Sequence, residues 1–591
     1  MQSIPLQIDG QEMVRLTIDG RVVSVPRGYT VMRAAHRAGI TIPSLCFLKH
    51  FNPIGACRIC VVEVKGAKTL VASCVHPVEN GMEVYTNTPR VRAARKKTLQ
   101  LMVSNHDRKC LSCVRSGSCE LQRLCREYHV EDEEFYAGER TPSLPDENVN
   151  GIIIRDNSKC ILCRRCVAIC NNIQGIGAIG VEYRGFSTQI GSAFGRSLGE
   201  STCVNCGQCI IACPTGALRA KDCTETVSDL LHDPAKHVIV QTAPAVRAAL
   251  GECFNMPIGT DVQGKMVTAL RLLGFDAVFD TNFAADLTIL EEAHELIERI
   301  QNGGKLPLIT SCSAGWVKYC EHYFPDLLEN LSSCKSPQQM FGAIAKSYYA
   351  EKMGWDPADI VVVSVMPCTA KKFEHNRPDQ CGTGYPDVDH VLTTRELGRM
   401  IHEAGIRFTE LPDEPFDTPL GISTGAGVLF GNMGGVMEAA LRTAVELITG
   451  QELGILNFHE VRGIKGIREA AYKVGDLELR VAVASGLANA KQLLEKVQRG
   501  EAHYDFIEIM ACPGGCVNGG GQPQQPPIVW NFKSVRIERS KVLYARDENS
   551  PIRKSHENPA IQELYRDFLG EPGSELAHQL LHTTYQAREA D

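Results

Sequence analysis

The 25 cysteines of this chain fall into tight groups separated by long cysteine-poor stretches. Cys160, Cys163, Cys166 and Cys170 follow the spacing Cys-x2-Cys-x2-Cys-x3-Cys, and Cys203, Cys206, Cys209 and Cys213 repeat it, ending in Pro214 where the first run has Asn171. Thiolates spaced in this way grip iron rather than each other. Upstream, Cys46, Cys57, Cys60 and Cys74 are spaced Cys-x10-Cys-x2-Cys-x13-Cys, and His106, Cys110, Cys113 and Cys119 are spaced His-x3-Cys-x2-Cys-x5-Cys. Sulfur and imidazole donors suit an iron cluster, and zinc is the chemical alternative at the set that contains His106. A disulfide scaffold is the poorer reading, because the chain has 591 residues and its start shows no charged, apolar and cleavage-site succession of an export signal.

Further downstream, three cysteine-bearing loops follow apolar strand patterns: Thr310-Ser311-Cys312-Ser313-Ala314-Gly315-Trp316, then Met366-Pro367-Cys368-Thr369-Ala370-Lys371-Lys372, then the run from Glu508 through Cys512 and Cys516 to Gly521. Loops at the carboxyl ends of parallel strands are where α/β folds build sites. Six further cysteines, Cys125, Cys223, Cys253, Cys320, Cys334 and Cys381, match no ligand spacing and are expected to be buried thiols.

The elements that must position these groups change character along the chain. Short alternating runs around TVMRAAHRAG predict a small α+β sheet unit, and RVRAARKKTLQLMVSN predicts a helix. An acidic, Pro-containing link, EDEEFYAGERTPSLPDENVNG, precedes the double cysteine run. Strand patterns such as HVIVQT alternate with helical ones such as ILEEAHELIERI from about residue 238 onward, which predicts parallel sheets.

The double run is that of a two-cluster bacterial ferredoxin, in which each fourth cysteine crosses over. One [4Fe–4S] is therefore expected on Cys160, Cys163, Cys166 and Cys213, and another on Cys203, Cys206, Cys209 and Cys170. With the three loops and with KSPQQMFGAIAKSYY, TTRELGRMI, GGVMEAALRTA and RKSHENPAI, the chain resembles an [FeFe]-hydrogenase of the multimeric NADP-reducing, electron-bifurcating type over nearly its whole length. The resemblance implies a β-grasp [2Fe–2S] ferredoxin-like domain over residues 1–90, a His/Cys3 [4Fe–4S] domain over 91–135, the two-cluster domain over 150–225, a large α/β H-cluster domain over 235–545 and a small-subunit-like segment over 546–591. It implies one [2Fe–2S], three [4Fe–4S] of which one is His-ligated, and an H-cluster, a [4Fe–4S] cube joined to a di-iron unit carrying CO and cyanide. By the same resemblance Cys368, Cys512 and Cys516 hold the cube, Lys371 bonds a cyanide, and Met366 and Met510 pack on the di-iron unit. Cys312 is then the proton-transferring thiol, with Glu292, Glu295 and Ser332 as its path to solvent. Glu292 and Glu295 lie three apart on one helical face, which suits a relay and equally suits a solvated face.

The first loop departs from that family. Ser313 stands where it has a cube-ligating cysteine, and Ala314 where it has proline. A serine alkoxide is a harder, more basic donor than thiolate. Four outcomes are open: Ser313 ligates through oxygen, Cys312 shifts into the corner and the proton relay is lost, another thiol such as Cys334 substitutes, or the site is degenerate.

A net charge of −7 with no biased Lys/Arg segment argues against nucleic acid, and no run of 18 apolar residues enters a bilayer, so a cytoplasmic protein is expected. GAGVLFGNMGG has the wrong spacing for a dinucleotide loop, so nicotinamide chemistry falls to a partner. The resemblance implies a flavin and NAD(P)-binding subunit like that of complex I and a small [2Fe–2S] subunit, with ferredoxin or formate dehydrogenase as further partners. Two competing classes are an electron-transfer subunit that has lost H2 turnover and a slow H2 sensor.

Overall fold

The computed structural model describes residues 7–8, 11–130, 151–454, 456–474 and 477–589. The first six residues and nearly all of the acidic link read above lie outside the described residues. Near the N-terminus, strands Gln11–Ile18, Arg21–Pro26, Val61–Val64 and Glu83–Tyr85 build a mixed sheet against the helix Val31–Arg37. Thr30 caps that helix by accepting the N–H of Arg33 at 3.4 Å. The alternation of the strands seats Val14, Leu16, Ile18 and Val25 inward on Val31, Ala34 and Ala35. The basic stretch forms the helix Pro89–Ser104, with Pro at its start and the Thr88 hydroxyl accepting the Val91 N–H.

The large α/β region contains two four-stranded sheets. In the first, Ala277–Asp280, His237–Thr242, Ile360–Met366 and His390–Thr393 lie side by side and all parallel. Its central strand Ile360–Met366 is buried throughout, as a near-continuous apolar strand covered on both faces must be. The second sheet runs Leu308–Ile309, Phe506–Met510, Leu477–Ser485 and Ile467–Val474, with only the last antiparallel. Parallel pairing aims the carboxyl ends of both sheets at the cysteine loops. Cys368 follows a strand of the first sheet, whereas Cys312 and Cys512 follow strands of the second. The helix Thr281–Gln301, capped by Asp280, packs against Pro337–Ile344 and Gly435–Thr449.

Near the C-terminus the helix Val535–Glu548 is pinned by a buried charge network. Arg442 forks onto Asp547 at 2.7 and 2.8 Å and reaches Glu438 at 2.7 Å, and Arg462 and Arg553 complete it. The final segment then runs back over the second sheet's neighbourhood: Thr583 N–H donates to the Ser333 carbonyl and Lys335 N–H to that of Leu581.

Candidate functional site

Three loops meet where the two sheets end. The Cys512 thiol donates to Cys368, and this bond, with the Ala370 N–H and the Lys371 charge, holds Cys368 down at about 7 against its burial. Burial pushes Cys516 up to about 12, with Cys368, Lys371 and Glu508 as its charged neighbours. The glycines of the third loop allow this closeness: a Cβ on Gly515 would come within 2.6 Å of the Met433 nitrogen, and one on Gly519 within 2.2 Å of the Pro367 oxygen. Three soft donors, Cys512 buried and Cys368 and Cys516 half-buried, with backbone N–H groups and a lysine form a donor set that fits three corners of an anionic iron–sulfur cube.

The first loop decides which atom faces the fourth corner. Ser313 Oγ accepts the N–H of Ala511, the residue before Cys512, at 3.1 Å. The neighbours that act on Cys312 are instead Glu292, Lys371, Cys516 and Glu508. Cys334 sits among Glu295, Glu292, Glu291 and Ser332. Of the residues weighed for that corner, Ser313 is thus the one bonded beside Cys512, Cys312 neighbours Cys516, and Cys334 lies among the acids.

Beside the thiols runs a polar line. Burial, then the Glu292 charge, pushes the Cys312 thiol far up, so it keeps its proton at neutral pH. Burial, then Glu295, raises Glu292 to about 8, and Ser332 and the Ser311 N–H only partly oppose this. Glu292 is 2 % exposed, and one of its oxygens has no hydrogen-bond partner. The Ser332 hydroxyl donates to Glu295 at 3.0 Å, and Glu295 pairs with Arg299 at 2.6 Å. The helix is covered at Glu292 and half-covered at Glu295, so Glu292 does not lie on a solvated face. Lys371 Nζ rests on Glu374 at 2.8 Å, and Met366 and Met510 are buried at the ends of their strands.

Glu508 was missed from sequence. It is fully buried, raised to about 7 by burial, and accepts the N–H groups of Gly434 and Met437 at 2.7 Å each. Its signal was a lone acid inside the apolar strand Phe506–Met510. Asn432, whose amide is buried with neither atom partnered, carried no such signal.

The ferredoxin-like thiols stand in the expected company. Cys160, Cys163, Cys166 and Cys213 line one small cavity, and Cys170 neighbours Cys203 and Cys206. A Cβ on Gly520 would meet the Cys206 oxygen at 2.2 Å, and one on Gly207 the Thr369 hydroxyl at 2.3 Å, so this unit abuts the cube loops directly. At its other end, Asn52 donates to the carbonyls of both Cys46 and Cys163, at 2.8 and 3.0 Å. Cys46, Cys57, Cys60 and Cys74 are buried together, with Cys57 held down at about 6 chiefly by the Cys46 thiol. Cys110 and Cys119 line an open cavity of about 1050 Å³ with His106, while Cys113 packs on Gly216 of the Cys213 loop.

Among the described residues the His, Cys, Asp and Glu groups whose ligand atoms close to within 4.8 Å of one another in threes are Glu446, His556 and Glu557 alone. Of the six unmatched cysteines, Cys320 and Cys334 are buried as expected. Cys125, Cys223 and Cys253 are half-buried and Cys381 is exposed, since the turn after Pro378 leaves it at the surface.

Comparison with known proteins matches residues 236–520 to the iron only hydrogenase large subunit, C-terminal domain, and 533–588 to the iron hydrogenase small subunit. Residues 11–89 match a 2Fe-2S iron-sulfur cluster binding domain, 95–134 the NADH-ubiquinone oxidoreductase-G iron-sulfur binding region, and 159–217 a 4Fe-4S dicluster domain. The NADP-reducing hydrogenase subunit HndD of Solidesulfovibrio fructosivorans is 50% identical over 98% of this chain and 99% of its own length. The chain belongs to the iron-only hydrogenases. Iron hydrogenase 1 of Clostridium pasteurianum is 42% identical over 97% of this chain and 100% of its own. A solved variant of [FeFe]-hydrogenase HydA1 from Chlamydomonas reinhardtii is 46% identical, covers 62% of this chain and 99% of that one, and superposes with a TM-score of 0.56.

The protein is therefore an iron hydrogenase with ferredoxin-like domains, carrying [2Fe–2S] and [4Fe–4S] clusters and an H-cluster domain. The similarity to a hydrogenase subunit and to a complex I segment marks it as part of a multi-subunit assembly. No described helix is long and apolar enough to cross a membrane.

Proposed function

We propose that this hydrogenase is the hydrogen-converting subunit of a cytoplasmic NADP-reducing complex, exchanging electrons with a flavin-containing subunit and a small [2Fe–2S] subunit. What supports it is an unbroken succession of candidate cluster sites. Cys46–Cys74 and the His106–Cys119 set both touch the Cys160/Cys163/Cys166/Cys213 cavity, Cys166 neighbours Cys209, and Cys206 neighbours Cys368 and Cys512. In this reading the first set holds a [2Fe–2S], the others hold three [4Fe–4S], and Cys368, Cys512 and Cys516 hold the cube with Ser313 at the fourth corner.

When bound, the H-cluster supplies the heterolytic chemistry of H2 and takes up its electrons. The chain's own residues exclude water, orient the ligands and move the proton. Cys312 keeps a proton at its sulfur, Glu292 exchanges one near neutral pH, and Ser332 passes it to Glu295 beside the half-buried Arg299. Lys371, which rests on both oxygens of Glu374, would offer its ammonium to an anionic ligand.

The test is to mature the protein with the di-iron machinery, assay dye-linked H2 oxidation and record the infrared bands of CO and cyanide. Bands with turnover are expected. Absence of both would leave the second reading, an electron-transfer subunit of a bifurcating complex serving a partner such as formate dehydrogenase, which Ser313 and Ala314 favour. Bands without turnover would indicate a sensor.

A further inference from the structure

Arg115, Arg219, Arg395 and Arg399 line one cavity of about 100 Å³ where three parts of the chain meet. Arg115 belongs to the loop between Cys113 and Cys119, Arg219 to the strand Leu218–Ala220 behind Cys213, and the other two to the helix Thr394–Glu403. Among the described residues, the carboxylates of this wall are Asp222 and Glu396.

Both carboxylates are engaged. Asp222 receives Arg399 at 2.6 Å on one oxygen and the Thr224 N–H and hydroxyl on the other. Glu396 receives Lys372 at 3.0 Å and the Thr393 N–H at 2.6 Å. Arg115 is 8 % exposed, donates to the Ser118 carbonyl at 2.8 Å, and has its Nε buried without a partner. Arg395 donates to the Gln522 carbonyl at 2.6 Å. Burial pushes Arg395 down to about 10, with Glu396 and Cys253 opposing and Arg115 and Arg399 adding to it, and it remains a cation at neutral pH. Asp222 matches Arg399, and the thiols Cys213, Cys119 and Cys113 with Glu120 act on Arg115, whereas Arg395 donates to the neutral Gln522 carbonyl; guanidinium forks match tetrahedral oxyanions.

We infer that this cavity binds a small doubly charged oxyanion of the phosphate or sulfate class, gripped by Arg115 from one unit and Arg395 from another, with Arg219 and Arg399 on its wall. Its volume suits the free ion and is well below the roughly 300 Å³ at which organic ligand pockets begin. The site is independent of hydrogen chemistry, and its effect is mechanical, because one ion joins the His/Cys segment, the ferredoxin-like unit and the large α/β region.

The test uses the full holoprotein, purified anaerobically in buffer free of phosphate and sulfate. Titration calorimetry with inorganic phosphate and, separately, sulfate is expected to give one site per chain with a dissociation constant below ~1 mM. Glycerol 3-phosphate, too large for the cavity, is expected to bind at least tenfold more weakly. Arg395→Gln is expected to weaken phosphate at least tenfold, whereas Lys541→Gln, at an exposed position elsewhere, leaves it unchanged. Should Arg395→Gln fail to fold, wild-type crystals soaked in selenate are expected to show an anomalous peak between Arg115 and Arg395. Absence of binding heat with either ion, unaltered affinity in folded Arg395→Gln, or selenate only at other places would overturn the assignment.

Discussion

The Ser313 hydroxyl oxygen accepts the N–H of Ala511 at 3.1 Å, which ties the first cysteine loop to the third one residue before Cys512. Replacing Ser313 with Cys keeps an acceptor for that N–H and adds a soft donor, so cube iron per chain and H2 oxidation are both expected to rise. Ser313→Ala orphans the buried N–H, at a cost of about 1–3 kcal/mol, and is expected to lower cube occupancy. Iron analysis with Mössbauer spectroscopy reads both variants, and identical cluster content in all three proteins would contradict the role given to this oxygen.

Glu292→Gln preserves shape and removes the exchangeable carboxyl. H2 turnover should drop by roughly 10²-fold or more while infrared bands of CO and cyanide persist. The same variant tests a pH dependence. Between the ordinary value of 4.5 and about 8 the native carboxyl keeps a proton that the unfolded chain has released. Its contribution to stability is therefore complete below the unfolded value and is lost as pH rises through that window, so E292Q should flatten the decline seen in denaturant titrations across it.

Gly520→Ala drives a methyl against the Cys206 carbonyl, which lies 2.2 Å from that Cβ position. The ferredoxin-like unit should be displaced from the cube loops. Hydrogen–deuterium exchange at the site should then survive while reduction of the remaining clusters by H2, followed by freeze-quench EPR, slows at least tenfold. Normal reduction kinetics would count against direct abutment.

Asp547→Ala leaves Arg442, which is fully buried, without its forked partner. Breaking a buried ion network in this way should cost about 3–5 kcal/mol in chemical denaturation. Burial acts to raise Asp547, but Arg442 and Arg553 hold it below the usual carboxylate value. Its contribution is accordingly present above the unfolded value and disappears as pH falls through the lower native one, so the wild type should lose more stability than the variant on acidification.

The sulfur spacing carried most of the architecture, because ligand geometry fixes how far apart cysteines stand along a chain. It could not reveal the setting of Glu292 and Glu295. Their burial comes from Ser332 to Cys334 and from the returning residues 581–585, segments far away in sequence. Nor could it foresee that Ser313 has a backbone partner, since that contact joins positions 198 apart. Glu508 was legible in principle as an acid among Phe506, Ile507, Ile509 and Met510, whereas Cys381 owes its exposure to a turn that composition does not encode.

Asn52 bonds Cys163, and Gly216, three residues past Cys213, bears on Cys113, so both N-terminal units rest on the same four-sulfur cavity. In the proposed succession of clusters, two branches arriving from different sides thus share a single stop. Traffic there is merged rather than parallel: an electron held at that stop by one branch blocks the other, so its residence time limits both.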